Sequence, residues 1–331
     1  MTPFFKTQHH RSPRSHREGA FRPRRVSVVA ATIGALIVGT WGWVDTPGAG
    51  TAAANAAGEI SALAAGVPEA PRQAAIETFE QGLGNTASGL AAYASGRYTA
   101  SSGWVSGSNC TGVLVNYLAT YPNASFCPTT STRVSAAARE TRRMADVLGQ
   151  VAAGVAGSSS ATAPANGSTS ATQTNHALTA FPAAAVAGGT TVAQSVSGTG
   201  ISAPAARYYS LRMNAVGAQC GTNNASLSLN LVSGGATVLT GFSSPVVPCA
   251  STGAVYYTSP ALAANQGSGD AALPASVRAA AYSGTTAALL TPAQISAAQV
   301  QLVNTVTGAG GAFGVDNVRV MEVSPALDMA F

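Results

Sequence analysis

The chain has 331 residues, of which only 9% are charged and 46% are hydrophobic, so it is not a polyelectrolyte that stays disordered. The net charge of +5 does not indicate nucleic-acid binding, because seven basic residues lie within residues 1–25. Without them, and without Glu18 and Asp45, ten bases and ten acids remain. No basic face for a nucleic-acid partner is therefore expected outside the N-terminus.

The N-terminal segment 1–56 has the pattern of an export signal. A basic stretch precedes 19 uncharged residues, Val26 to Val44, and small residues spaced like a cleavage site follow as far as Ala56. The apolar run suits a cleaved signal peptide or a retained membrane anchor, and both interpretations stay open. Both place the body of the protein outside the cytoplasm, with the membrane reached only through this segment. The Ala-rich residues 57–75 are predicted to form a tether or a short helix.

The first half of the body combines strand candidates with one helix. Segments 76–82 and 112–118, and the surroundings of Trp104, are predicted strands. From residue 133 to residue 155 the apolar side chains recur with the helical period while charged side chains take other faces, which predicts an amphipathic helix. The uncharged segment 158–174 is predicted to be either a long surface loop or a domain linker.

The second half of the chain changes to a period of two. In "ASLSLNLVS", Leu227, Leu229 and Leu231 share one face and polar residues share the other, as in a half-buried strand. Similar short segments, separated by Gly, Pro, Asn and Ser, occur at 207–216, 276–284 and 299–306. The pattern predicts a mainly β fold: a jelly-roll β-sandwich with one inserted amphipathic helix.

Four cysteines fit an exported, oxidised domain. Three pairings are open, and we favour the local one, Cys110 with Cys127 and Cys220 with Cys249, because each bond closes one hairpin-sized loop. Each would stabilise the fold by about 3 kcal/mol. A metal site at the cysteines is disfavoured because no C-x-x-C spacing occurs.

Residues that could carry catalysis are few. His176 is the only histidine beyond residue 16, and no G-x-S-x-G elbow is present. A glycosidase needs two acids that face each other across a cleft, and the acids here form no recognisable hydrolase signature. The sequence therefore predicts that the protein is not an enzyme, with a secreted glycosidase as the weaker alternative.

The last strand contains a break in its alternation at Asp316. In "AFGVDNVRVMEV" the apolar residues Phe313 and Val315 fall on one face, but Val318 and Val320 fall on the other. A bulge at Asp316–Asn317 would return all four to one face and move the carboxylate out of the ladder. Two interpretations follow: a solvated Asp on a bulged strand, or a calcium ligand that clips distant strands together.

Two short motifs resemble the opening and closing strands of carbohydrate-binding-module-like jelly rolls: "FEQG" at 79–82 and "FGVDNVRV" at 313–320. In many of those proteins, an acid after the first-strand Phe and the Asp of the last strand hold a structural calcium. The resemblance implies that Glu80 and Asp316 are calcium ligands here, with backbone carbonyls supplying the rest.

A wider likeness covers residues 76–331. Its order of segments, from "NCTGVLVNY" through "RRMADVLGQV" to "FGVDNVRV", resembles the lectin-like N-terminal head of large actinobacterial fibrillar surface adhesins. In those proteins tandem stalk repeats follow the head, and "SPALDMAF" resembles the entry to the first repeat, except that Met329 replaces the usual Lys. The resemblance implies an adhesin-like domain over 76–323 and the start of a missing domain over 324–331.

Such a head implies binding through aromatic side chains. The candidate ligand-binding residues are Trp104, Tyr117, Tyr121, Tyr208 and Tyr257. Adjacent tyrosines on a strand point to opposite faces, so one of each pair is expected in the core. The sequence thus predicts an exported cell-surface adhesion or recognition domain for a glycan or an extracellular protein, with a ligand-free structural envelope protein as the first alternative.

Overall fold

The protein folds mainly as antiparallel β-sheet. A computed structural model describes residues 70–105, 110–121, 127, 132–182, 189–221, 223–260, 276–305 and 311–324; of 132–136 it describes the backbone only. The predicted export segment 1–56, most of the predicted tether and residues 325–331 lie outside the described residues.

The described part of the chain contains fourteen strands and four helices. The strands are β1 (Arg72–Glu77), β2 (Ser88–Gly89), β3 (Tyr98–Thr99), β4 (Thr111–Val115), β5 (Ala177–Ala180), β6 (Thr190–Ser195), β7 (Arg207–Ala218), β8 (Leu227–Ser233), β9 (Ala236–Thr240), β10 (Val255–Tyr257), β11 (Val277–Ser283), β12 (Ala288–Leu290), β13 (Gln299–Asn304) and β14 (Ala312–Val323). The helices are the 3₁₀ helix η1 (Leu90–Ser95), α1 (Thr132–Ala152), α2 (Ser170–Thr174) and α3 (Pro292–Ala297).

The strands form two sheets. The large sheet has the order β10-β11-β7-β14-β5-β4-β2, with β1 also paired to β14 and β12 to β7. The small sheet has the order β3-β6-β13-β8-β9. One hydrophobic cluster joins them, with Leu211 and Phe313 from the large sheet and Leu229 and Leu302 from the small sheet. The predicted mainly β, sandwich-type fold is confirmed, and the period-two segments are strands as predicted.

Helix α1 packs on the opposite face of the large sheet. Met144, Val147 and Leu148 join a second cluster that contains Val216 of β7 and Val277 of β11. The predicted helix over 133–155 is therefore confirmed, with its end at Ala152. It adds a third layer to the two sheets.

The charged faces of α1 do not lie in solvent as an amphipathic surface helix would require. The charged and amide side chains on these faces are buried: Arg139, Glu140, Arg142, Arg143, Asp146 and Gln150. Helix α2 packs so closely that a Cβ added at Gly149 would lie 2.6 Å from the Thr172 carbonyl oxygen. The polar faces of α1 are buried because further segments, including α2, cover the helix.

Segment 158–174 is one of these covering segments. Ser158 and Ala165 bond to the backbone of Tyr256, and Thr169 with Thr172 forms a capping box at the start of α2. Side chains also tie the segment to α1, because Gln150 Oε1 accepts from the Gly167 N–H at 2.9 Å. The segment is therefore a loop that ends in α2 within the fold, and the linker interpretation is wrong.

Two strand predictions need correction. The first strand begins at Arg72 rather than at residue 76, so it includes the end of the predicted tether. Its edge position on β14 explains this, since Arg72 and Gln73 are exposed and do not carry a buried-strand pattern. Trp104 lies in a turn and not in a strand.

Both disulfides have the favoured local pairing. Cys110 bonds to Cys127 and Cys220 bonds to Cys249, with Cα–Cα distances of 4.7 and 5.3 Å. The first bond lies beside α1, where Cys110 and Cys127 belong to the same cluster as Met144. The second lies beside β7, because a Cβ added at Gly217 would lie 2.8 Å from Cys249 Sγ.

Candidate functional site

The predicted calcium ligands lie where β14 changes its neighbour. One edge of β14 pairs first with β5, with Val315 opposite Leu178, and then with β1, with Val318 opposite Glu77. The register against β7 shifts between Asp316 and Arg319, and the φ of Asn317 is +50°. The predicted bulge is therefore confirmed. We call the side chains of Glu77, Glu80, His176 and Asp316 at this place the strand junction.

The bulge returns the apolar residues of β14 to one face. Phe313, Val315, Val318 and Val320 all belong to the cluster between the two sheets. The extra residue at the bulge turns Asp316 away from this cluster, as the break in alternation predicted.

Asp316 is 0% exposed, so the interpretation as a solvated carboxylate is wrong. Its Oδ1 accepts from the Asn317 N–H at 2.6 Å and its Oδ2 accepts from Asn317 Nδ2 at 2.9 Å. Burial raises the pKa of Asp316 well above its ordinary value, and hydrogen bonds from Asn317 and Asn175 oppose this. The nearby charges of Glu80 and Glu77 raise the pKa of Asp316 further.

Glu80 joins the end of β1 to the start of β5 through His176. Its Oε1 accepts from the His176 N–H at 2.6 Å, and its Oε2 lies 2.5 Å from His176 Nδ1. The other ring nitrogen, Nε2, lies 3.1 Å from the Gly84 carbonyl oxygen, so both nitrogens face acceptors. Burial alone would lower the pKa of His176, but the hydrogen bonds to Glu80 and Gly84 outweigh it and the pKa is raised. The raised pKa favours the protonated imidazole beside the Glu80 carboxylate.

Glu77 is a buried acid for which the sequence predicted no role. Its Oε1 accepts from the Phe79 N–H at 2.7 Å and from Tyr93 Oη at 3.0 Å, and its Oε2 accepts from Tyr98 Oη at 2.7 Å. Arg97 Nη1 lies 3.4 Å from the same carboxylate. This buried carboxylate therefore fixes η1 and β3 to β1. Its position two residues from Ala75 and Phe79 on the buried face was the available signal.

The structure brings the two predicted calcium ligands, Glu80 and Asp316, together only in part. Glu80 and Asp316 are electrostatically coupled, but their oxygens accept hydrogen bonds from protein donors. Within the described ranges, no group of three or more His, Cys, Asp or Glu side chains is arranged to hold a metal ion. The calcium site stays a prediction.

Three of the five aromatic candidates lie inside the protein. Trp104 is fully buried and its ring stacks on Phe313 with centroids 5.6 Å apart. Tyr117 and Tyr257 are also buried, and their hydroxyls donate to the carbonyls of Pro260 and Val155. These rings cannot stack on a ligand at the surface, so their assignment to ligand binding is corrected: packing fixes them in the core.

The other two candidates are half-buried. Tyr121 is held against α1, where its hydroxyl donates to the Ala138 carbonyl at 3.1 Å. Tyr208 is the outward member of its pair, because the neighbouring Tyr209 is fully buried. The expectation that one tyrosine of each pair is in the core holds for both pairs, but in the second pair the outward ring is Tyr256 and not Tyr257.

Tyr208 belongs to a row that crosses the large sheet. Its Cα partners are Val323 of β14 and Leu289 of β12, and all three side chains lie on the face opposite the sandwich core. Leu289 is 54% exposed. A second row on the same face contains Ile76, Arg319, Arg212 and Ser283. Met321 and Ser210 lie between the rows and are buried. We call these two rows the open sheet face.

In the part of the chain that the structure describes, no helix is both long enough and apolar enough to cross a membrane. No family model, curated protein sequence or solved structure matches this chain.

Proposed function

We propose that the protein is an exported recognition domain that binds a glycan or an extracellular protein on the open sheet face. The observation that carries this proposal is the row of Tyr208, Leu289 and Val323, which presents an aromatic ring and two aliphatic side chains on a rigid sheet. Exposed aromatic and aliphatic side chains on a fixed scaffold are typical of binding sites. The two disulfides support export, since such bonds persist in oxidising compartments.

The arrangement of the acids supports binding over catalysis. Glu77 is held by two tyrosines, Glu80 by His176, Glu140 by Arg143 and Asp146 by Thr172. Each of these carboxylates has a protein partner that fixes it in the fold. A glycosidase needs one carboxyl group free to donate a proton and another free to act on the opposite side of the bond.

A binding screen of the oxidised full-length protein tests the proposal. A glycan array and a panel of extracellular matrix proteins, both probed with calcium present, should give a ligand. Tyr208→Ala should weaken binding of that ligand about tenfold or more, as expected for a central aromatic contact. Val196→Ala is the control, because Val196 is an exposed apolar side chain that follows β6 of the small sheet. An empty screen, or equal binding by the Tyr208 variant, contradicts the proposal and favours a ligand-free structural protein.

A structural calcium at the strand junction is a separate part of the proposal. It is supported by the carboxylates of Glu80 and Asp316, because the charge of Glu80 contributes to the raised pKa of the buried Asp316. A divalent cation would remove this repulsion, and carboxylate oxygens are its preferred ligands. Glu80 would have to exchange its hydrogen bonds with His176 for the ion. Recognition at the open sheet face does not depend on this ion.

A further inference from the structure

We propose that the ligand of the open sheet face is a carboxylate-bearing oligosaccharide, held by Arg212 and Arg319. This inference rests on the proposed function and names the class of its ligand. It is carried by a like-charged pair in the middle of the sheet.

Arg212 and Arg319 are directly opposite each other in the pairing of β7 with β14. Opposite residues in an antiparallel pair share one face, and their Cβ atoms are about 4.5–5.5 Å apart. Both side chains are half-buried. Two like charges at this spacing destabilise a sheet. A pair of arginines in this position therefore lowers stability unless an anion lies between them.

Both guanidinium groups have unused donors. Among the described residues, Arg212 has no hydrogen bond or ion pair. Arg319 donates one hydrogen bond, from Nη2 to Asn317 Oδ1 at 3.3 Å, and its Nε is buried without an acceptor. A guanidinium offers five N–H donors in a planar fork that matches a carboxylate. The pair can therefore hold one carboxylate through charge-assisted hydrogen bonds.

Acidic side chains near this face are engaged elsewhere. Glu322 pairs with Arg72 and with Arg207 Nε, the latter at 3.5 Å. Glu322 is opposite Tyr209, which faces the sandwich core, so Glu322 lies on the other face of the sheet from Arg212. Asp316 and Glu80 belong to the strand junction, with the partners described above. No described acid neutralises the arginine pair.

The distance between the two rows of the open sheet face determines the minimum length of the ligand. Tyr208 lies four residues before Arg212 on the same face of β7, which is about 13 Å along the strand. A ligand that places a carboxylate on the arginines and a ring against Tyr208 and Leu289 must therefore be an oligomer. A saccharide chain has both groups, since its apolar ring faces stack on aromatic side chains. Charge complementarity selects an acidic saccharide over a neutral one.

Matched ligands and variants test the inference. Binding of oligogalacturonate and of its methyl ester to the full-length protein should differ by at least tenfold in favour of the acid. Arg212→Gln and Arg319→Gln should each remove most of this difference and should weaken the salt dependence of binding. Arg212→Lys should retain part of it. Arg72→Gln is the control, because Arg72 is a more exposed arginine that already has a partner, Glu322.

A second measurement does not depend on the ligand. Without ligand, the Arg212→Gln variant should unfold at a thermal midpoint about 1–2 °C above that of the wild type, because the like-charge repulsion is relieved. If Arg212 had a purely structural role, its removal would lower the midpoint. Equal binding of acid and ester, or unchanged acid binding by both Gln variants, overturns the inference. In that case, the proposed function would still hold if the domain bound a neutral glycan or a protein and Tyr208→Ala abolished this binding. A protein without any ligand fails both proposals.

Discussion

The carboxylate of Glu80 accepts a hydrogen bond from the backbone N–H of His176 at 2.6 Å while its other oxygen lies 2.5 Å from the Nδ1 of the same histidine. One side chain thus fixes both the backbone and the ring of a residue 96 positions away in the chain. The contact joins the end of β1 to the start of β5 on the same edge of β14. Together with the Arg72–Glu322 pair, it is a side-chain link that holds the first strand in the large sheet in addition to its ladder.

Glu80→Gln should lower the unfolding free energy by about 1–2 kcal/mol, measured by urea denaturation in the presence of chelator. A hydrogen bond to a charged group contributes about 1.5–3 kcal/mol, and the value is discounted because the Glu80 side chain is 41% exposed. Glu322→Gln is the control, since that acid pairs with the exposed Arg72 and should cost less than about 1 kcal/mol. Equal effects of the two substitutions would contradict the special role of the Glu80–His176 contact.

Calcium should raise the thermal midpoint of the wild-type protein relative to chelator, and magnesium should do so less. An ion that binds only the folded state stabilises it by about 2.7 kcal/mol when its concentration is 100 times the dissociation constant. Asp316→Asn keeps the size of the side chain but removes a carboxylate, so the calcium-dependent shift should disappear. Identical midpoints in calcium and in chelator would remove calcium from the strand junction.

Tyr98→Phe should destabilise the protein by about 2 kcal/mol, because it removes a 2.7 Å hydrogen bond to the buried carboxylate of Glu77. Tyr93→Phe should have a smaller effect, since its bond to the same side chain is 3.0 Å long. Calorimetry or urea denaturation gives both values. Tyr256→Phe is the control with an expected change below about 0.5 kcal/mol, because Tyr256 is half-buried at a sheet edge. If Tyr98→Phe lowered the unfolding free energy no more than Tyr256→Phe, the hydrogen bond from Tyr98 to Glu77 would not contribute to stability.

Asp146 should make the protein less stable as pH rises. Burial raises the pKa of Asp146, although hydrogen bonds from Thr172, Ser168 and Gln150 lower it in part. The folded state therefore binds the proton more tightly than the unfolded state, so stability is lost from about pH 4, the unfolded value, up through the raised folded pKa.

Asp146→Asn cannot titrate, so its unfolding free energy should improve relative to the wild type as pH rises from 4 to 7. Urea denaturation at several pH values measures this difference. Thr172→Val removes a donor that lowers the pKa of Asp146, so the loss of stability should continue to a higher pH. A wild-type to Asp146→Asn difference that is constant with pH would contradict the raised pKa.

Local patterns predicted the features that depend on neighbours in the chain. The bulge at Asp316 followed from four apolar residues that change parity, and helix α1 followed from the spacing of Met144, Val147 and Leu148. The disulfides followed from short loops, with sequence separations of 17 and 29. Each of these signals lies within one segment, where periodicity and loop length are decisive.

Features that depend on distant segments did not show in the pattern. The burial of the charged residues of α1 could not be predicted, because nothing in the helix itself indicates that α2 covers it. Trp104 looked like a surface aromatic because its stacking partner, Phe313, lies more than 200 positions away. Strand β1 began earlier than expected because Arg72 and Gln73 pair with the end of β14.

The pairing of β1 with β14 also determines how the domain would respond to tension. Arg72, at the start of β1, is opposite Glu322, near the end of β14, so the two strand ends emerge side by side. A pulling force applied through residues 72 and 323 would therefore peel the ladder apart one hydrogen-bonded pair at a time instead of shearing all pairs together. Separation of the strands would advance from Arg72 to Glu77 and then reach the Glu80–His176 contact. That contact would therefore be the next one to resist the force.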